Sequence, residues 1–126
     1  MKNQKFFRCK HCGNFIGLIN NAGVPMICCG EEMEEVVPNT VEASQEKHIP
    51  FIIFDGSIMK VQIGSVLHPS TEEHYIDFIY VQTEHGGQRK SIKPGDDPVA
   101  EFLFIDDKPI EVFAYCNIHG LWSAKV

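Results

Sequence analysis

Residues 51–63 read FIIFDGSIMKVQI, and how they pair decides the fold. Two apolar runs, Phe51-Ile52-Ile53-Phe54 and Ile58-Met59-Lys60-Val61-Gln62-Ile63, flank Asp55-Gly56-Ser57, where glycine can take positive φ in a tight turn. That is a hairpin signal. A further β-rich run from Tyr75 to Thr83 is ended by His85-Gly86-Gly87. Runs from Ala100 to Ile105 and from Ile110 to Tyr115 are separated by the turn Asp106-Asp107-Lys108-Pro109. With Trp122 to Val126 and a short piece near Ser91, this makes six or seven strands. No amphipathic helix longer than about two turns is visible. Strands at this spacing, with no helices to make parallel crossovers, predict an all-β fold: an antiparallel β-sandwich of immunoglobulin-like kind.

Working outward from the sandwich, the cysteines mark a second unit. Cys9, Cys12, Cys28 and Cys29 fall within the first 30 residues, and none follows until Cys116. The stretch Glu34-Glu35-Val36-Val37-Pro38-Asn39-Thr40 combines charge, proline and turn formers and reads as a linker near residue 38. The expected division is a small metal-binding domain over 1–37 and the sandwich over 38–126. Cys9-Lys10-His11-Cys12-Gly13 is a C-x2-C knuckle whose glycine lets the chain turn two thiolates toward one ion. Cys28 and Cys29 are adjacent, so both can reach one ion only if the chain turns sharply, which Gly30 permits. Four sulfurs predict a tetrahedral site for zinc or a single iron, and the sequence does not separate the two. A segment of about 37 residues is too short to hold itself by apolar burial, so the ion is expected to supply its folding energy. His11 reads as a surface residue.

Composition excludes several classes. No apolar run approaches the ~20 residues a membrane-spanning helix needs, and no secretory signal is recognisable at the N-terminus. A cytoplasmic protein is expected, where thiols stay reduced and five cysteines serve as metal ligands better than as disulfides. In residues 1–37, Lys2, Lys5, Arg8 and Lys10 balance Glu31, Glu32, Glu34 and Glu35, so the whole net charge of −6 belongs to residues 38–126. Such a surface repels phosphate backbones and argues against nucleic acid as a partner. A small anionic substrate would need a local cation.

The remaining donors are histidines and the last cysteine. His68 precedes Pro69 and is pushed into an extended conformation at the start of a loop, and the gap to His74 lets that loop bring two imidazoles together. Cys116 and His119 can converge across a turn that Gly120 finishes. Taken singly, each histidine reads as a surface or hydrogen-bonded imidazole. Taken jointly with Cys116 they read as a ligand set. As a nucleophile and its base, Cys116 and His119 are too close in sequence to leave room for a substrate. Zinc prefers four donors, whereas four imidazoles and one thiolate suit a five-coordinate iron with an open sixth position.

The motifs Glu46-Lys47-His48-Ile49-Pro50, His68-Pro69, Glu73-His74 and Tyr115-Cys116-Asn117-Ile118-His119-Gly120-Leu121-Trp122, preceded by Cys9-x2-Cys12 and Cys28-Cys29, resemble those of desulfoferrodoxin, the two-iron form of superoxide reductase. The resemblance covers essentially the whole chain. It implies a desulforedoxin-like N-terminal domain with an Fe(Cys)4 centre on Cys9, Cys12, Cys28 and Cys29. It further implies a mononuclear Fe(His)4Cys centre in the immunoglobulin-like domain, with His48, His68, His74 and His119 equatorial and Cys116 axial. The expected activity is one-electron reduction of superoxide to hydrogen peroxide at ferrous iron, with a non-catalytic iron electron-transfer protein as the alternative. A rubredoxin-type electron donor and a cytoplasmic homodimer come with the family. Lys47 is the expected local cation, and Glu46 the group that fills the open position of the oxidised iron. Both are expected on a mobile loop. One departure is Ala114, where some members carry a glutamate two residues before the axial cysteine.

Overall fold

The computed structural model describes residues 3–126; Met1 and Lys2, at the head of the basic N-terminal stretch, lie outside the described residues. Helix makes up 3% and strand 48% of the chain, so the fold is all-β. It divides into two compact units, Met1–Val37 and Pro38–Val126.

In the first unit β1 (Lys5–Arg8) lies between β2 (Phe15–Leu18) and β5 (Glu34–Val36), while β3 (Ile27–Cys28) and β4 (Glu31–Glu32) form a separate ladder. Two residues, Cys29 (φ 53°) and Gly30 (φ 76°), join β3 to β4. Positive φ at both central positions is the hairpin turn whose twist matches its strands. The acidic stretch before Pro38 is therefore not all linker. Glu34 to Val36 pair with Arg8 to Phe6, because alternation with the one apolar position, Val36, suffices for a strand once β1 offers a free edge. Among the described residues of this unit only Phe6, Cys9 and Met33 are buried.

In the second unit the chain first makes α1 (Gln45–His48), a single helical turn. It continues through β6 (Pro50–Phe54), β7 (Ile58–Ile63), β8 (Ile76–Thr83), β9 (Gly86–Ser91), β10 (Val99–Leu103), β11 (Pro109–Cys116) and β12 (Gly120–Lys125). Two antiparallel sheets result, ordered β10-β7-β6 and β12-β11-β8-β9. The hairpin of residues 51–63 pairs Phe54 with Met59 and Pro50 with Ile63, and Asp55 Oδ1 accepts from the Ser57 and Ile58 N–H groups in its turn. Met59, Val61 and Ile63 from β7, Ile79 and Val81 from β8, Ala100 and Phe102 from β10, and Val112, Ala114 and Cys116 from β11 share one buried cluster. Period-two alternation places these side chains between the sheets.

One turn behaves differently from the expectation. Gly86 and Gly87 do not end the strand before them but open β9, with Glu84 and His85 as the hairpin tip. A side chain at Gly87 would collide with the Tyr80 ring, so the glycine is required for close approach inside the ladder. The turn after β10 carries the chain from one sheet to the other, since β10 pairs with β7 and β11 pairs with β8 and β12. Where β11 meets β8, the register shifts between Tyr115 and Cys116. Such an irregularity re-aims the side chains at the strand end.

Candidate metal centres

The first cluster is built by two turns. The Gly13 N–H donates to the Cys9 carbonyl at 2.9 Å, with Gly13 at φ 81°, and the Cys9 N–H donates to the Asn14 carbonyl at 2.9 Å. This closes the knuckle. The Asn14 N–H reaches Cys12 Sγ at 3.4 Å, and its amide Nδ2 reaches Cys28 Sγ at 3.7 Å. The left-handed turn at Cys29-Gly30 brings the second pair round, and all four sulfurs lie within 4.8 Å of one another. Their acidities are driven apart. The Cys12 backbone N–H draws the Cys9 thiol down to about 6, whereas hydrogen bonding to Cys12, then to Cys9 and Cys28, pushes Cys29 up to about 12. Four sulfurs this close cannot all ionise unless a cation sits among them, and that is the condition a tetrathiolate metal site meets. His11 stays on the surface, 3.0 Å from Glu31.

The second cluster gathers residues from four places. His48 closes α1, and its Nδ1 bonds the Ser44 carbonyl at 2.6 Å. His68 follows β7, with Nδ1 2.7 Å from the Pro69 carbonyl. A ring nitrogen facing a carbonyl must carry the proton, so in both rings Nε2 is left with the bare lone pair. His68 Nε2 and His74 Nε2 are buried and have no hydrogen-bond partner within the described structure. Polar atoms are rarely orphaned in this way. His48, His68, His74 and Cys116 place one donor atom each within 4.8 Å of the others. His119 enters by its Nδ1, 3.2 Å from His48 Nε2 and 3.9 Å from Cys116 Sγ. The Cys116 sulfur accepts the His119 N–H at 3.3 Å across the turn that Gly120 (φ 81°) completes. Five soft or borderline donors with two orphaned lone pairs fit a resident transition metal, and the four sulfurs fit a second.

The residues matched by family models decide the relationship. Residues 40–125 match the model described as desulfoferrodoxin, and residues 1–36 match the model of the desulfoferrodoxin N-terminal domain. The chain belongs to the desulfoferrodoxin family. It is 40% identical over 118 residues to a desulfoferrodoxin homolog of Archaeoglobus fulgidus, covering 94% of each chain. It is 39% identical over 126 residues to desulfoferrodoxin of Nitratidesulfovibrio vulgaris, covering 99% of each. In fold it matches the crystal structure of superoxide reductase from Treponema pallidum with a TM-score of 0.83 and 36% identity, covering 98% of this chain and all of that one. The two donor sets are consistent with the iron centres of desulfoferrodoxin.

Glu46 and Lys47 sit on α1 with exposed side chains, so the mobile loop expected for them is a helical turn in this desulfoferrodoxin fold. Tertiary bonds explain it. The Glu46 carbonyl accepts from the Val66 N–H at 3.0 Å and from Ser65 Oγ at 3.4 Å. Four residues are too few to show helical periodicity. Asn117 has no assigned role in the motif reading, yet its side chain clamps both sides of His74. Oδ1 accepts from the Tyr75 N–H and Nδ2 donates to the Glu73 carbonyl, each at 2.9 Å. Only its place between Cys116 and His119 hinted at this.

Burial holds the His68 imidazole down to about 4 and also lowers His48 and His74. An unfolded chain protonates these rings near ~6.5. The unfolded state therefore binds more protons between about 6.5 and 4, and the stability of the metal-free sandwich is lost as pH falls through that window. His68 alone is expected to remove about 2 kcal/mol between pH 6.5 and 5. Urea midpoints of the metal-free protein measured from pH 7.5 to 4.5 check this, and a flat profile contradicts it.

Proposed function

We propose that this chain is a superoxide reductase that carries out O2•− + e− + 2H+ → H2O2. The observation that carries the reading is the convergence of four imidazole nitrogens and one sulfur, drawn from positions 48 to 119, with two of those nitrogens buried and otherwise unpartnered. His48, His68, His74, His119 and Cys116 would hold the iron, which would supply the electron and a place for a small anion.

The chain's own residues do the rest. Backbone carbonyls on the far sides of His48 and His68 fix the tautomers that keep Nε2 unprotonated. The His119 N–H stabilises negative charge on the Cys116 sulfur against burial, which raises its pKa. Lys47 lies near enough that its charge, after burial and the neighbouring imidazoles, helps depress both His48 and His74. That cation draws superoxide toward the cluster on an otherwise acidic sandwich. Solvent supplies the two protons that the reaction takes up. Glu46, beside Lys47 on α1, is the carboxylate that would cover a metal held there.

The domains follow from the same reading: 1–37 as a desulforedoxin-like Fe(Cys)4 domain and 38–126 as the catalytic immunoglobulin-like domain. The division at Val37 and the donor set within each unit support this. All five cysteines are free thiols, which suits a reducing cytoplasm, and no helix among the described residues is long and apolar enough to cross a membrane. A homodimer is supported by Phe51, Ile53, Ile58 and Leu103, exposed large apolar residues on the three-stranded sheet. A rubredoxin-type protein is the proposed electron donor.

Pulsed superoxide tests the activity. A reductase yields one peroxide for each superoxide consumed, whereas dismutation yields one for every two with release of O2, and a pure electron carrier consumes none at a specific rate. Lys47→Ile is expected to slow the second-order rate roughly tenfold at low salt and to flatten its dependence on ionic strength. An unchanged rate and slope would remove Lys47 from the mechanism.

A further inference from the structure

Beside His48 runs a groove lined by Asn39, Val41, Gln45, Ile49 and Trp122. Trp122, on β12, is buried and is not one of the five donors. Its indole lies against the His48 imidazole with ring centroids 4.9 Å apart and planes inclined by 28°. Its Nε1–H donates to the His119 carbonyl oxygen at 3.1 Å. One side chain thus holds two donor residues that are 71 positions apart.

Those two residues need holding. His119 Nδ1 and His48 Nε2 stand 3.2 Å apart, close enough for one ring to hydrogen-bond the other, and holding an ion instead asks both nitrogens to turn their lone pairs to a common point. Ser44 fixes only the far nitrogen of His48, which leaves the ring free to pivot about that bond. A flat face against the imidazole removes the pivot. The His119 ring takes its position from its main chain, anchored at the N–H by Cys116 Sγ and at the carbonyl by Trp122. Across the ladder, Trp122 stands directly opposite Ala114. Opposed residues share a face, so the single methyl of Ala114 leaves the room that the indole fills.

We propose that Trp122 is a positioning residue of the histidine and cysteine centre: stack and hydrogen bond together make the His48 and His119 nitrogens converge on one ion. This rests on reading the five donors as metal ligands. Trp122→Phe keeps an aromatic face without the N–H, and Trp122→Leu keeps neither. The full-length chains are loaded with Co2+ and followed by the paramagnetically shifted imidazole N–H resonances, which only the histidine centre supplies, in competition with a polyaminocarboxylate chelator. Cobalt affinity is expected to fall about 10–100-fold in Trp122→Leu and several-fold, on the order of 3–10, in Trp122→Phe. Phe113→Leu, a buried site on β11 that contacts Tyr80, is expected to lower the thermal midpoint and leave affinity unchanged.

Either Trp122 variant binding within twofold of the parent overturns the assignment, as does a Phe113→Leu loss equal to that of Trp122→Leu. Should Trp122→Leu not fold, Trp122→Phe decides together with the parent's own emission. Trp122 is the sole tryptophan, and its fluorescence must change at the cobalt ratio where the imidazole signals appear. Unchanged emission overturns the proposal. A parent that loads cobalt as described but does not reduce superoxide when iron-loaded sinks the functional reading and leaves Trp122 in place; a parent with no imidazole signals overturns both.

Discussion

Stripping the metal from the four-cysteine cluster is expected to unfold residues 3–37 and leave the sandwich standing. The first unit buries two large apolar side chains, Phe6 and Met33, among its described residues, while Ile19, Val24 and Ile27 are exposed. Two such burials contribute about 1.5–3 kcal/mol each, against roughly 10–16 kcal/mol for a structural metal in a small thiolate-bound module. The ion dominates. Without it, nothing offsets the repulsion among ionising sulfurs, or the left-handed conformation of Cys29, which costs a residue with a Cβ about 1–2 kcal/mol. Amide resonances followed during titration with a thiol-competing chelator should show residues 5–36 collapsing into the unfolded region of the spectrum while those of 50–125 stay dispersed. Dispersed first-unit resonances in a metal-free sample would show that the unit folds on apolar burial alone.

Gly64→Ala should have the next largest effect. A methyl carbon at that position would land on the Glu46 carbonyl oxygen and 2.6 Å from the Lys47 carbonyl carbon, both backbone atoms that no rotamer change can move aside. Either α1 lifts or the end of β7 gives way. Overpacking of this kind costs about 1–3 kcal/mol, and the Val66 to Glu46 hydrogen bond goes with it. Because His48 terminates α1, lifting the helical turn also withdraws a donor from the cluster. The expected result is a lower urea midpoint together with a loss of bound iron of tenfold or more in affinity. A variant of parental stability and parental iron content would show that the turn accommodates the methyl and that Gly64 does not seat it.

Much of this was legible in the sequence because its signals are local. The 51–63 hairpin announces itself through alternation and one turn glycine, and Gly13 and Gly30 mark the turns that gather the sulfurs. The five donors of the second cluster stand out by residue type. What was not legible depends on contacts between distant positions. Gly86-Gly87 resembles a strand terminator until Tyr80 is seen lying against it. Glu34 to Val36 resemble a linker until β1 offers an edge. α1 is too short for periodicity and exists because Ser65 and Val66 tie down Glu46. Asn117 clamps His74 across 42 to 44 residues, a separation at which no motif operates.

Cys116 belongs to the same packed cluster as Ile79, Val81, Val112 and Ala114. In most proteins the interior can be repacked for heat resistance while the reactive atoms are left alone. Here that separation fails: Val112, Ala114 and Cys116 lie on one face of β11, so a change of volume at either neighbour is expected to alter the packing around the sulfur. Thermostabilised versions of this sandwich should therefore be ranked by reduction potential as well as by melting temperature.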